Sequence, residues 1–227
     1  MQAACDRPWM VAVTMEASCA RILEPDRIVN LARIIDATLK LSNKKGFHVT
    51  SLRELAKASG QSIGGHYRYF DNKAMLLSMI LREVGSTAAE VLKAPPNNLT
   101  GDPRAHLAWA IDTHIRLSEA MHPWFVFSFM EAKSFPPAER KIAIDAEAAT
   151  EEIFAEVVAR GVGIAAFVVD KTGLAAWLVE PLLQDWYVKR TKYRRRGTPI
   201  ETYIASVTRL VEAGLAAKAN QGVRAVS

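Results

Sequence analysis

From Asp26 onward, apolar positions recur at steps of three and four. Ile28, Leu31, Ile35 and Leu39 fall on one face of a helix, and Gly46 supplies a natural C-cap. A short second helix is expected from Ser51, where Ser51 and Glu54 have the spacing of a capping box. Ser59-Gly60-Gln61 reads as a turn, and Ser62 caps a third helix expected over residues 62–70. Asp71 or Asn72 then caps a longer helix through Leu92, and Pro95-Pro96-Asn97-Asn98 marks a domain boundary.

Beyond that boundary the pattern stays helical. Asp102-Pro103 places a cap and then a proline at the first helical position, opening a helix to about Ala120. His122-Pro123 breaks it. An apolar helix is expected over 124–135, and Pro136-Pro137 opens another to Arg160. Gly161 and Gly163 interrupt before a long helix over 170–196. Gly197, Thr198 and Pro199 make the last break, before a helix over 200–217. No stretch alternates with period two for long enough to argue for a sheet, and no repeats occur. The expected fold is all-α: an N-terminal three-helix helix-turn-helix domain over 26–92 and a C-terminal helical ligand-binding and dimerisation domain over 99–219. Residues 1–25 read as a flexible arm and 220–227 as a tail.

Half of the residues are hydrophobic, ample for a core, and the net charge is +5 with a pI near 9.3, which suits an anionic partner without identifying one. The two cysteines, Cys5 and Cys19, make no disulfide framework, so a reducing compartment is the default. The short apolar stretch from Trp9 to Met15 is flanked by Asp6 and Glu16 and is no convincing signal peptide. No run is long and apolar enough to span a bilayer. The expected setting is the cytoplasm, with no membrane partner.

The informative stretch is residues 50–73, TSLRELAKASGQSIGGHYRYFDNK. Physically it is two short helices around a tight glycine-containing turn, and the second suits a DNA major groove. Gly64 and Gly65 each cost roughly 1 kcal/mol of helix propensity, and close approach of the backbone to another molecule is a reason to keep them. Tyr67, Arg68 and Tyr69 carry hydroxyl and guanidinium donors suited to phosphates and base edges. Lys73 sits at a helix start, where backbone N–H groups and a cation together favour a phosphate. Thr50, Ser51, Arg53, Ser62, Ile63 and His66 complete the candidate DNA-facing set. Arg53 and Lys57 read equally as a solvated helix face, and Tyr69 and Phe70 as core.

With Leu52-x-x-Leu55-Ala56, Ser59-Gly60-x-Ser62-x-Gly64, Tyr67-x-Tyr69-Phe70 and Lys73 in this order, the sequence resembles the TetR family of bacterial repressors over about residues 27–87. The resemblance implies that 51–58 is the supporting helix and 62–70 the recognition helix. It also implies that Tyr67 and Lys73 contact phosphates and that Gly65 and Arg68 lie near the groove. Gln61 stands where the family has valine and His66 where it has leucine, both packing positions in the family.

Aromatic and polar residues cluster in three later segments, giving a candidate effector site. Trp109 and His114 lie on one, Phe125, Phe127, Met130 and Glu131 on the next, and Trp177, Glu180 and Gln184 on the third. Each reads alternatively as plain core or dimer interface. His106, His114 and His122 are spaced by eight, drifting about 80° per step around a helix, so they converge on no metal. No catalytic spacing stands out, so neither an enzyme nor a cofactor is expected. The basic run 189–196 reads as a solvated helix end or as an anion site for an effector such as an acyl-CoA.

The leading expectation is a DNA-binding transcriptional regulator: a homodimer, joined through its last two long helices, on a pseudo-palindromic double-stranded operator. A small hydrophobic effector, with room for an anionic head group, releases it. Leu174, Trp177, Leu178, Leu182 and Trp186, with Val207, Leu210, Val211 and Leu215, are the expected dimer contacts, an arrangement the resemblance also implies. The alternative is a helical ligand-binding or enzymatic protein whose hairpin only resembles a DNA reader.

Overall fold

The computed structural model describes residues 25–169 and 171–216, and among these every regular element is helical. The arm expected over 1–25, apart from Pro25, the tail over 220–227 and both cysteines lie outside the described residues. Packing divides the chain into two compact units. Of the described residues, one gathers 25–87 with 120–146, the other 88–119 with 147–169 and 171–216. The segment 120–146, which the proline-rich break at 95–98 assigned to the C-terminal domain, therefore packs in the first unit.

The first unit contains α1 (Pro25–Lys45), α2 (Leu52–Ser59), α3 (Ile63–His66), α4 (Lys73–Leu92, up to Thr87) and α6 (His122–Glu131). A 3-10 turn, Ala132–Ser134, and the first part of α7 (Pro137–Gly163) complete it. The α1 stripe delivers Leu31, Ile34, Ile35 and Leu39 to a core shared with Leu55, Phe70 and Leu76. Phe127 of α6 is completely buried in that core, edge-on to Phe47 at 5.5 Å and tilted against Phe135 at 5.8 Å. Each such ring pair contributes on the order of 1 kcal/mol beyond burial of its apolar area. The helix expected over 124–135 thus starts two residues earlier and ends in the 3-10 turn.

The third helix is shorter than expected. Only Ile63–His66 is α-helical, and the chain then tightens through Arg68 N–H to Gly65 O (3.3 Å) and Tyr69 N–H to His66 O (2.9 Å). Two adjacent glycines make a longer α-helix costly, and bonds to the third residue back satisfy the same N–H groups in less length.

The second unit holds α5 (Pro103–Ala120, up to Glu119), the rest of α7, α8 (Thr172–Trp177), α9 (Glu180–Val188), α10 (Arg190–Arg195) and α11 (Ile200–Ala216). Asp102 caps α5 as expected, its Oδ1 accepting from the N–H groups of Arg104 and Ala105 at 3.0 and 3.1 Å. The single long helix expected over 170–196 is instead three short ones. Pro181 has no N–H to offer the carbonyl one turn before it, so the helix cannot run through. At Lys189 the backbone leaves helical angles again (φ −109, ψ 27). These breaks bring Trp186, Tyr193 and Tyr203 into one aromatic cluster with ring centroids 4.7 to 5.3 Å apart. Glu119 joins them to α5, accepting from Trp186 Nε1 at 3.1 Å and pairing with Arg190.

Candidate nucleic-acid interface

Four local devices fix the α2–α3 hairpin. Ser51 Oγ accepts from Glu54 N–H at 3.3 Å while Ser51 N–H donates to Glu54 Oε2 at 2.9 Å, the reciprocal capping box. Lys45 pairs with the same carboxylate. That bond, then those from Ser51, holds the Glu54 carboxyl down to about 2. Gly60 takes the left-handed conformation (φ 69) at the end of α2, the turn that lets the chain double back. Ser62 Oγ then accepts from Gly65 N–H at 2.9 Å and caps α3.

This geometry presents Ser51, Arg53, Ser62, Ile63, Gly64, Tyr67 and Arg68 to water, with Gly65 and Tyr69 half-buried. Ile63 is 39% exposed and Tyr67 52%, unusual for large side chains beside a well-filled core. A side chain at Gly64 would meet nothing closer than Ser62 Oγ at 4.0 Å, so internal packing does not require that glycine. At Gly65 a Cβ would press on Ser62 Oγ at 3.3 Å.

Two residues expected at the DNA face are buried instead. Thr50 is 1% exposed, its hydroxyl donating to Gly46 O at 2.8 Å to tie off the end of α1. His66 is also 1% exposed, stacked edge-on to Phe70 at 5.5 Å, with Nε2 2.9 Å from Ser59 Oγ. The Ser59 hydroxyl hydrogen goes to Ala56 O at 3.1 Å, so His66 Nε2 is the donor in that pair. Nδ1 is then left as a buried acceptor with no partner among the described residues, and burial lowers the imidazole pKa. Both non-family residues thus serve packing: Gln61 donates to Asn30 Oδ1 at 2.7 Å.

Lys73 stands at the start of α4, but its ammonium is turned onto the chain itself. It donates to the carbonyls of Phe47 and His48 (2.9 Å to the latter) and lies 4.4 Å over the Phe47 ring. Desolvation lowers its pKa.

The expected effector residues are divided between the two units. Phe125, Phe127, Met130 and Glu131 belong to the first unit and Trp109, His114, Trp177, Glu180 and Gln184 to the second. Phe125 and Phe127 are buried, Met130 is exposed, and Glu131 Oε2 accepts from Phe47 N–H at 3.0 Å. Apolar periodicity shows that a face is buried but not what it is buried against. In the second unit Trp177 is 52% exposed, while Trp109 is half-buried beside His106. His114 is buried, and desolvation pushes it down to about 4. Glu180 is pushed up to about 8, by burial first and then by the charge of Glu147. Gln184 Nε2 bridges Glu147 Oε1 (2.7 Å) and Glu180 Oε1 (3.3 Å). The sequence reading passed over Glu147 and Glu151, although their spacing of four places both on one face of α7.

Among the described residues no cluster of His, Cys, Asp or Glu could hold a metal, and no helix is long and apolar enough to cross a membrane. Residues 34–80 match the family described as bacterial regulatory proteins, tetR family. The transcriptional repressor KstR of Mycolicibacterium smegmatis is 32% identical over 102 residues, 42% of this chain and 50% of that protein. The chain spans about half the length of the curated relatives it matches. A tetR-family regulatory protein from Rhodococcus RHA1 shares the fold with a TM-score of 0.72 at 19% identity, over 83% of this chain and 98% of that one. The regulator FadR of Bacillus subtilis, solved in complex with stearoyl-CoA, does so at 0.65 and 19%, over 81% and 98%. Residues 34–80 thus carry a helix-turn-helix domain of the kind found in the tetR family of bacterial regulatory proteins, and the rest of the described chain is helical.

Proposed function

We propose that this protein is a sequence-specific DNA-binding transcriptional regulator, a repressor released from its operator by a small hydrophobic effector. The observation that carries the reading is the capped hairpin of α2 and α3. Its inner side is sealed by Leu55, Ala56, His66 and Phe70, while Ser62, Ile63, Gly64, Tyr67 and Arg68 stand in water. A short helix with donors and an uncovered backbone at Gly64 suits entry into a major groove, with Tyr67 on a phosphate.

The regulator works as a homodimer on a pseudo-palindromic site. Leu174, Trp177, Leu178 and Leu210 of the second unit, each between 48% and 61% exposed, support an interface there. Trp186, Val207, Val211 and Leu215 belong to the core of that unit instead. The effector enters the second unit. A hydrophobic acid or its CoA ester fits the stearoyl-CoA held by FadR and the exposed Arg194, Arg195 and Arg196.

Selection from random duplexes with the full-length protein tests the reading. It should enrich a two-fold symmetric sequence with half-sites about one helical turn apart, bound with an affinity that falls steeply with salt. Failure to enrich any sequence at low salt would overturn it in favour of a helical ligand-binding protein.

A further inference from the structure

Inside the first unit a cavity of about 330 Å³ is lined by Phe47, His48, Lys73, Ala74, Leu77, Glu131, Ser134, Phe135 and Pro136. Its size lies at the small end of the range for ligand pockets. The walls are mostly apolar, and two charged side chains of opposite sign reach it. Lys73 commits two of its three ammonium hydrogens to the carbonyls of Phe47 and His48. Glu131 uses Oε2 for the Phe47 N–H. One donor on Lys73 and one acceptor on Glu131 therefore have no partner among the described residues, and both groups stand at the same void.

We infer that this cavity is a small-molecule site, and that it takes a compact, apolar, uncharged molecule bearing one hydroxyl. An anion attracted to Lys73 meets the Glu131 carboxylate, and a cation attracted to Glu131 meets the Lys73 ammonium. Either would carry an uncompensated charge into an apolar pocket. A hydroxyl accepts from the ammonium and donates to the carboxylate at once, each bond strengthened by a charged partner. An aromatic body matches the Phe47 and Phe135 walls. The site is separate from the effector proposed for the second unit. It lies at the end of α1 and the start of α4, the elements that frame the α2–α3 hairpin.

The test is titration of the ¹⁵N-labelled full-length protein with beta-naphthol, and with naphthoate and naphthylmethylamine as charged analogues of the same shape. Beta-naphthol should move the amide signals of Phe47, His48, Lys73, Ala74 and Glu131 with saturable binding, and more tightly than either analogue. The Ala74→Leu variant, whose side chain fills the void, should lower that affinity about tenfold or more. A Glu131→Gln variant should bring naphthoate closer to beta-naphthol in affinity. No saturable shift at these amides, shifts confined to the second unit, or tighter binding of either charged analogue would overturn the inference. Binding undiminished in Ala74→Leu would do the same.

Discussion

Around α2 and α3 the helix caps find partners within a few residues, as Ser51 does with Glu54 and Ser62 with Gly65, and the hairpin then faces water. In the unit of residues 88–119 and 147–216, further ionisable groups lie deep, as His66 does beside the hairpin. Glu180 and His114 are both buried and both displaced towards their neutral forms. Local pairing gives a rigid surface that survives changes in its surroundings, which a docking face needs. Buried titratable groups make an interior whose stability depends on what enters it and on pH, which suits a sensing unit. On the proposed function, the first unit presents residues to DNA and the second responds to an effector, and each can be perturbed separately.

The largest effect expected is from Phe127→Ala. The ring is completely buried between Phe47 and Phe135, so its removal should cost roughly 3–5 kcal/mol of stability and weaken the DNA-binding unit as a whole. Urea denaturation with a tryptophan signal measures this. A variant that kept full stability and operator binding but no longer answered an effector would place α6 on the sensing side and break the division.

Next comes Glu180→Gln. Its carboxyl is raised from 4.5 to about 8, so the stability tied to its protonation is complete below pH 4.5 and is lost as pH rises towards 8. A neutral glutamine lacks that loss. The unfolding free energy of the variant, from urea titrations, should gain on that of the wild type between pH 5 and pH 9, by a difference on the order of a few kcal/mol. Parallel free energies across that range would mean that Glu180 is not held neutral inside.

The two units also differ in how far their residues could be read from the sequence. The hairpin was legible because its signals are short-range: Ser51-x-x-Glu54, Gly60 and Ser62 each mark one turn of backbone, and all three act as expected. His66 was misplaced because an imidazole suits a phosphate and a packed core equally, and only its distance to Ser59 decides. The split of the helix over 170–196 has a readable sign in Pro181, which ends one helix and opens the next. Neither the packing of Phe127 against Phe47 nor the approach of Glu147 to Glu180 could be read, because those pairings join segments tens of residues apart.

A smaller effect should come from His66→Leu, which restores the family residue at a packing position. Burial lowers the imidazole pKa, so His66 supports folding above pH 6.5, and that support is lost as pH falls through its lowered value. The stability difference between variant and wild type should therefore shift in favour of the variant from pH 7 to pH 5. A difference that does not change with pH would show that His66 is not held neutral against Ser59.

The exposed face of α3 is tested most directly by the salt dependence of Tyr67→Ala. Tyr67 is half exposed and contributes nothing to the core, so the variant should stay folded. Fluorescence anisotropy on the selected operator should show weaker binding and a plot of log affinity against log salt shallower by about one unit, the signature of one lost phosphate contact. Wild-type affinity with an unchanged slope would contradict the assignment of this face to DNA.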